Sequence, residues 1–245
     1  MKIALASAPT ADKDIQKNLT YIAQAAEQCR GDADLIVFGE AVLQGFNCLT
    51  WEYEKDRKTA VSQTDAPIAQ IRRIAKENHM AISFGYIEKS GGLLYSSQLV
   101  IDSFGTILFN YRRVSAGWKF SWLTDSRYRE GEHFGSFSYM GRKFSIGLCG
   151  DLWTEGKPEE MRGENADIVL WPVNCNFEPE EWNSTVKYEY AVQAALCGDK
   201  VLYVNPFCVN PDAEDCSTGG AAYFKKGVIA SELPAGGSGI LLVEI

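Results

Sequence analysis

Histidine is scarce in this chain: His79 and His133 are the only two. Any mechanism that needs a histidine base must use one of them. His79 falls in KENHMAISFGY, at a predicted helix end just before a strand, and His133 in GEHFGSF, beside a turn. Both contexts suit helix-end and loop residues, which argues against a Ser-His-Asp or Cys-His enzyme. The 7 cysteines (29, 48, 149, 175, 197, 208 and 216) include no C-x-x-C pair and meet no histidine at metal-ligand spacing. An odd set so arranged speaks against a zinc site and against a disulfide framework. A thiol redox protein is disfavoured too, because no resolving cysteine lies near Cys149 in sequence.

Basic clusters are also lacking. With a formal net charge of -8, the chain offers no footprint for a phosphate backbone, so nucleic acid is not the expected partner. A small or neutral ligand fits better. The opening MKIALASAPT reaches polar residues within about ten positions, too short a run for a signal-peptide core or a membrane span. A cytoplasmic protein without membrane contact is the expectation. No low-complexity segment, internal repeat or linker divides the chain, so residues 1–245 are read as one domain.

What is present is a 46% apolar chain in which short buried runs alternate with amphipathic stretches. KIALAS reads as a strand, and Ile15, Leu19, Ile22 and Ala26 follow at helical spacing. DLIVFGE reads as a buried strand ending in an acid, and Asp65-Ala-Pro opens a helix with Ile68, Ile71 and Ala75 on one face. Three β-rich runs follow, the last two joined by Asp-Ser-Phe-Gly. After a loop at 114–132, two strands meet around Met140-Gly141, the second ending at Cys149. ADIVLWP and KVLYVNP flank a helix in EEWNSTVKYEYAVQAALCG, and the glycine-punctuated tail is strand-like. The pattern gives two sheets with helices on their outer faces. Ligands in such folds gather beyond the carboxyl ends of strands. Glu40, the Arg112-Arg113 pair and Cys149 all sit at such ends.

Taken alone, Cys149 in GLCGDLW reads as a small core residue and Glu40 as a cap or surface acid. Together with a cation they form a working set. A thiol attacks a carbonyl only as thiolate, Glu40 in a pocket can serve as its base, and a cation stabilises the thiolate and a later oxyanion. The N–H of Gly150 can approach a substrate oxygen without a side chain in the way. Acyl transfer through a thioester is the chemistry these parts support.

At these residues the sequence resembles the nitrilase, or carbon–nitrogen hydrolase, superfamily. The likeness runs through FGEAVLQGF, the YRR segment, GLCGDLW, ADIVLWPVNCN, the Trp182–Ala191 helix and VLYVNP. It implies a four-layer α-β-β-α sandwich, pairing into a homodimer, and a Glu-Lys-Cys triad that hydrolyses a non-peptide C–N bond of an amide-type small molecule without a cofactor. In that picture Glu40 is the general base and Cys149 the nucleophile. The family's lysine usually follows Tyr-Arg, where this chain has Arg113; Lys119, in a Gly-Trp-Lys context, is preferred as the triad cation, with Arg113 as competitor. For the second acid that many members carry, Glu130 is chosen over Asp125 and Glu132. The stretch after ADIVLWP shapes substrate binding in the family, which points to Asn174 and Cys175. Trp153, Trp171, Trp118 and Phe177 are candidate apolar walls. An acyltransferase and a non-catalytic amide-binding homologue remain the alternatives.

Overall fold

A computed structural model describes residues 1–210, 212, 213 and 215–245. The chain opens with β1 (Lys2–Ser7), β2 (Pro9–Thr10) and helix α1 (Ile15–Gln28), whose first turn is capped by the Asp14 side chain accepting from the Lys17 N–H. β3 (Leu35–Phe38), α2 (Tyr53–Thr59) and α3 (Ala66–Asn78) lead into β4 (Ala81–Ser90), β5 (Leu93–Ile101) and β6 (Ile107–Arg112). β7 (Ser136–Tyr139), β8 (Arg142–Ile146), α4 (Lys157–Gly163) and β9 (Ile168–Pro172) follow. The helix expected next is α5 (Pro179–Glu181), which passes through a π turn (Trp182–Val186) into α6 (Lys187–Cys197). β10 (Lys200–Val204), β11 (Phe207–Cys208), β12 (Ala221–Lys225), β13 (Val228–Leu233) and β14 (Gly239–Glu244) complete the chain.

Among the described residues the main strands form two six-stranded sheets, ordered β14-β1-β3-β4-β5-β6 and β13-β12-β10-β9-β8-β7. Strand parity decides how they stack. In β1, Ile3 and Leu5 join the core between the sheets, whereas Ala4 and Ala6 face the α1 and α3 layer; in β3, Leu35 and Val37 point inward, and Ile36 and Phe38 outward. Both faces are therefore covered, which is why DLIVF is an unbroken apolar run rather than an alternating one. On the other side, Phe144, Ile146, Leu170 and Leu202 fill the same inter-sheet core. Met161 of α4 and Ala191 and Ala194 of α6 are buried on the far side of the second sheet. Each such aliphatic or aromatic side chain contributes roughly 1.5–3 kcal/mol. The result is the expected four-layer α-β-β-α sandwich.

Leu19, Ile22 and Ala26 lie buried on α1, and Ile68, Ile71 and Ala75 on α3, as their spacing requires. α2 has no counterpart in the sequence reading, because its face carries charge rather than a helical apolar stripe. No helix among the described residues is long and apolar enough to cross a membrane.

Candidate active site

Glu40 lies just beyond β3, at the carboxyl end of the first sheet. Its backbone N–H donates to Val173 O (3.0 Å), beyond β9 in the second sheet, so the residue is tied across the sandwich. The approach is close: a Cβ at Gly39 would lie 2.4 Å from Pro206 Cδ. The carboxylate is 1% exposed and fully engaged. Ser96 Oγ donates to Oε1 (2.7 Å), and Arg113 Nη1 donates to Oε1 (3.0 Å) and Oε2 (3.2 Å).

Arg113, directly after β6, is itself 3% exposed. Its Nε donates to Ser115 Oγ (2.9 Å), and Nη2 reaches the residue after Cys149, since a Cβ built on Gly150 would fall 2.9 Å from it. Burial works against this cation, but Glu40, the Cys149 sulfur and Asp151 outweigh it and raise its pKa above the ordinary arginine value. The guanidinium keeps its proton throughout.

Cys149 ends the β8 segment in the left-handed region, with φ 46°, and starts a short 3₁₀ turn (Cys149–Trp153). Holding a non-glycine residue there costs about 1–3 kcal/mol, supplied by its surroundings. Trp171 Nε1 donates to Cys149 O (2.9 Å). Asp151 is buried and gathers four donors: Leu148 N (2.9 Å), Val114 N (3.1 Å), Ser115 N (2.7 Å) and Tyr111 OH (2.6 Å). It thereby fastens the cysteine turn to the segment that carries Arg113. Burial raises the Asp151 pKa, opposed by Arg113 and these hydrogen bonds.

The thiol of Cys149 points to Asn174 O (3.8 Å) and is partly exposed. Hydrogen bonding with Cys175 draws its pKa below the ordinary thiol value; burial and Glu40 oppose this, and Arg113 adds to it. The contrast with structural thiols is direct. Burial pushes Cys29 up to about 11 and Cys197 up to about 12. Cys175 is clamped through its backbone, its N–H donating to Asn205 Oδ1 (2.9 Å) and its carbonyl accepting from Asn205 Nδ2 (2.9 Å). Around it stands an aromatic group in which Tyr190 stacks on Trp171 (4.9 Å between ring centres) and meets Trp153 edge-on (5.0 Å).

The structure thus brings Glu40, Arg113, Cys149, Gly150, Asn174 and Cys175 together, with Trp153 and Trp171 beside them. Lys119 and Glu130 are elsewhere in the bonding pattern. Lys119 Nζ donates to Tyr128 O (2.6 Å) and pairs with Glu130 Oε1 (2.6 Å). No hydrogen bond or ion pair among the described residues links either to Glu40, Arg113 or Cys149. The cation that the structure pairs with Glu40 is Arg113. Asp125 pairs with Arg127 at the surface (2.6 Å), and Glu132 is exposed. Trp118 packs in a separate cluster with Leu94 and Tyr128, while Phe177 joins the Tyr190 group. His79 closes α3 with φ 54°, and His133 is exposed. Sequence reasoning missed Ser96, Ser115, Asp151, Tyr190 and Asn205. Of these, only Asp151, two residues past the cysteine, carried a signal in its position.

Two sheets holding a carboxylate–guanidinium pair against a thiol define a class of α/β sandwich with a cysteine site. The Carbon-nitrogen hydrolase family matches residues 2–245, and the chain belongs to that family. It is 26% identical over 208 residues to the aliphatic nitrilase of Rhodococcus rhodochrous, covering 75% of this chain and 51% of that protein. With the (R)-stereoselective amidase of Pseudomonas sp it shares 24% identity over 180 residues, 73% of this chain and 62% of that protein. The chain therefore spans about half to three-fifths of these curated relatives. Among solved structures, a mutant amidase from Nesterenkonia sp. AN1 with acrylamide added at its active-site cysteine superposes with a TM-score of 0.77 at 21% identity, over 100% of this chain and 93% of that one. A glutamine-dependent NAD+ synthetase from Acinetobacter baumannii gives 0.77 at 22% identity, over 98% of this chain and 44% of that one. At these identities the structures establish the fold.

Proposed function

We propose that the chain is a hydrolase that cleaves the C–N bond of a small amide through a thioester on Cys149. The observation that carries this reading is the buried Glu40–Arg113 pair beside a thiol whose pKa is lowered. Glu40 takes the proton from Cys149, and the thiolate attacks the amide carbon. Nη2 of Arg113 and the N–H of Gly150 receive the oxyanion. As the intermediate collapses, Glu40 returns the proton to the departing amine and the thioester remains. Water, deprotonated by Glu40, then attacks the thioester and releases the carboxylic acid and the free thiol.

Trp153, Asn174 and Cys175 line the acyl side of this site. Lys119 and Glu130 brace the 114–132 loop, whose Gly131 N–H donates to Arg113 O (2.8 Å), and so act on the cation from outside. A nucleophilic thiol suits a reducing compartment, consistent with a cytoplasmic protein. The chain functions as one domain over 1–245. It pairs through α6, where Tyr188, Val192 and Leu196 form an exposed apolar stripe at four-residue spacing.

The test is intact-protein mass after brief incubation with amides, nitriles and carbamoyl compounds, beside Cys149→Ala and Arg113→Met. An acyl adduct on the wild type that is absent from Cys149→Ala supports the reading. Neither adduct nor released acid or amine from any compound refutes it.

A further inference from the structure

Two glycines, far apart in sequence, stand against one nitrogen. A Cβ built on Gly150 would lie 2.9 Å from Arg113 Nη2, and a Cβ built on Gly117 would lie 3.0 Å from the same atom. Little else stands in the way. Outside the adjoining chain no other described atom comes within 4 Å of a Cβ at Gly117, and at Gly150 the next is Ser115 Oγ at 3.6 Å, an ordinary contact. Neither glycine has a positive φ, so the backbone at both positions would accept any side chain. What excludes one is the guanidinium.

Nη2 has no room to step aside. The guanidinium is planar and its other nitrogens are engaged, Nε donating to Ser115 Oγ (2.9 Å) and Nη1 to both oxygens of Glu40 (3.0 and 3.2 Å). The turns that carry the glycines are pinned as well. Asp151 accepts from Ser115 N (2.7 Å), just ahead of the turn Ala116–Trp118, and from Leu148 N (2.9 Å), just ahead of the turn Cys149–Trp153. Among the described residues Nη2 itself donates to nothing, although its side chain is only 3% exposed. A buried cationic donor left without a partner points to an acceptor that arrives from outside.

We propose that Gly117 and Gly150 are positioning residues: by carrying no side chains they form a slot that seats Arg113 Nη2 against the Cys149 turn, its N–H groups presented to an anionic oxygen. The inference rests on the reading of Cys149 as the nucleophile, and it names what places the oxyanion donor. The slot also accounts for the identity of the cation. A lysine ends in a single nitrogen and has no second branch to fill the space between the two turns, whereas a guanidinium held by Glu40 must put Nη2 there.

The experiment combines Gly117→Ala and Gly150→Ala, in the full chain, with Arg113 and with Arg113→Lys. Two quantities are read without substrate: the melting temperature, and the rate of Cys149 alkylation by anionic iodoacetate relative to neutral iodoacetamide, followed by peptide-resolved mass. With Arg113 in place, each alanine is expected to lower the melting temperature by at least about 2–4 °C, the shift that mild overpacking gives a domain of this size. The iodoacetate-to-iodoacetamide ratio should fall about tenfold, as one charge-assisted hydrogen bond to the incoming carboxylate is lost. In the Arg113→Lys background the same alanines should leave the ratio unmoved. There they should hold the melting temperature level or raise it slightly, because alanine at a backbone it can adopt restricts the unfolded chain.

A merely structural role for the glycines would lower the melting temperature equally in both backgrounds. That additivity, or a wild-type ratio in the folded alanine variants, overturns the proposal. If Gly150→Ala does not fold, Gly117→Ala, whose Cβ comes less close, carries the test. Neither quantity uses turnover, so a wild type that hydrolyses no amide would count against the enzyme reading without bearing on this result.

Discussion

Arg113 Nη1 bridges both carboxylate oxygens of Glu40, at 3.0 and 3.2 Å, in a pocket where neither side chain is more than 3% exposed. A buried pair of this kind is strongly coupled, and removing one partner leaves the other uncompensated at a cost of about 3–5 kcal/mol. Glu40→Gln keeps the shape and deletes the proposed base. It should therefore lower the melting temperature and cut turnover by at least about a hundredfold, within the range removed with a general base, as steady-state kinetics on the folded fraction beside a melting curve would show.

Arg113→Lys is the informative cation swap. One ammonium cannot replace a guanidinium that bonds Ser115, Glu40 and the Gly150 side of the site at once, so kcat should fall by about 10–100-fold even though charge is kept. The pH profile separates the two further. Wild-type activity should show no alkaline limb from the cation, because arginine stays protonated, whereas the lysine variant should acquire one.

Lys119→Ala should behave differently. The Lys119–Glu130 pair is partly exposed, so its loss should cost no more than about 1 kcal/mol and leave the pH profile of kcat/KM unmoved. A Lys119 variant as damaged as Arg113→Lys, with a shifted profile, would return Lys119 to the triad.

Asp151→Asn tests the tie between the Cys149 turn and the Arg113 segment. An amide can still accept from the Val114 and Ser115 N–H groups, yet its NH₂ faces the Leu148 N–H and leaves a buried donor unpaired, costing about 1–3 kcal/mol. The expected signature is a modest loss of melting temperature with a larger loss of kcat, since the turn loosens where the sulfur sits.

Glu88 lies in the first sheet, where it accepts from Arg112 Nε and Nη2 (both 2.8 Å), Ser97 Oγ (2.8 Å) and Asn110 Nδ2 (3.0 Å). Burial works against its charge, but these donors prevail and hold its pKa below the usual glutamate value. A carboxyl depressed on folding stabilises the protein above its unfolded pKa and loses that contribution as pH falls through the lower folded value. Stability should thus drop on acidification below about pH 4.3, the unfolded glutamate value, and Glu88→Gln should flatten that part of the curve in denaturant melts.

Much of this was legible from strand ends. Glu40 after LIVFG and Cys149 after FSIGL are placed by local pattern, because a buried run fixes where its last side chain emerges. The cation was not. Choosing between Arg113 and Lys119 depends on the path of the 114–132 loop, and a loop shaped by single bonds such as Gly131 N–H to Arg113 O carries no periodic signal. Tyr190 and Asn205 were invisible for a related reason: they reach Cys175 from elements far along the chain, and only the stacking of α6, β9 and β10 brings them there.

The proposed base stands on one sheet and the nucleophile on the other, joined through the Glu40 N–H to Val173 O bond. The width of the hydrophobic filling between the sheets is therefore also the working distance of the chemistry. A cavity cut into that filling, as by Leu5→Ala or Ile146→Ala, would let the two halves settle unevenly, and turnover would register the change well before the protein melts. Activity in this fold is in effect a gauge of how well its interior is packed.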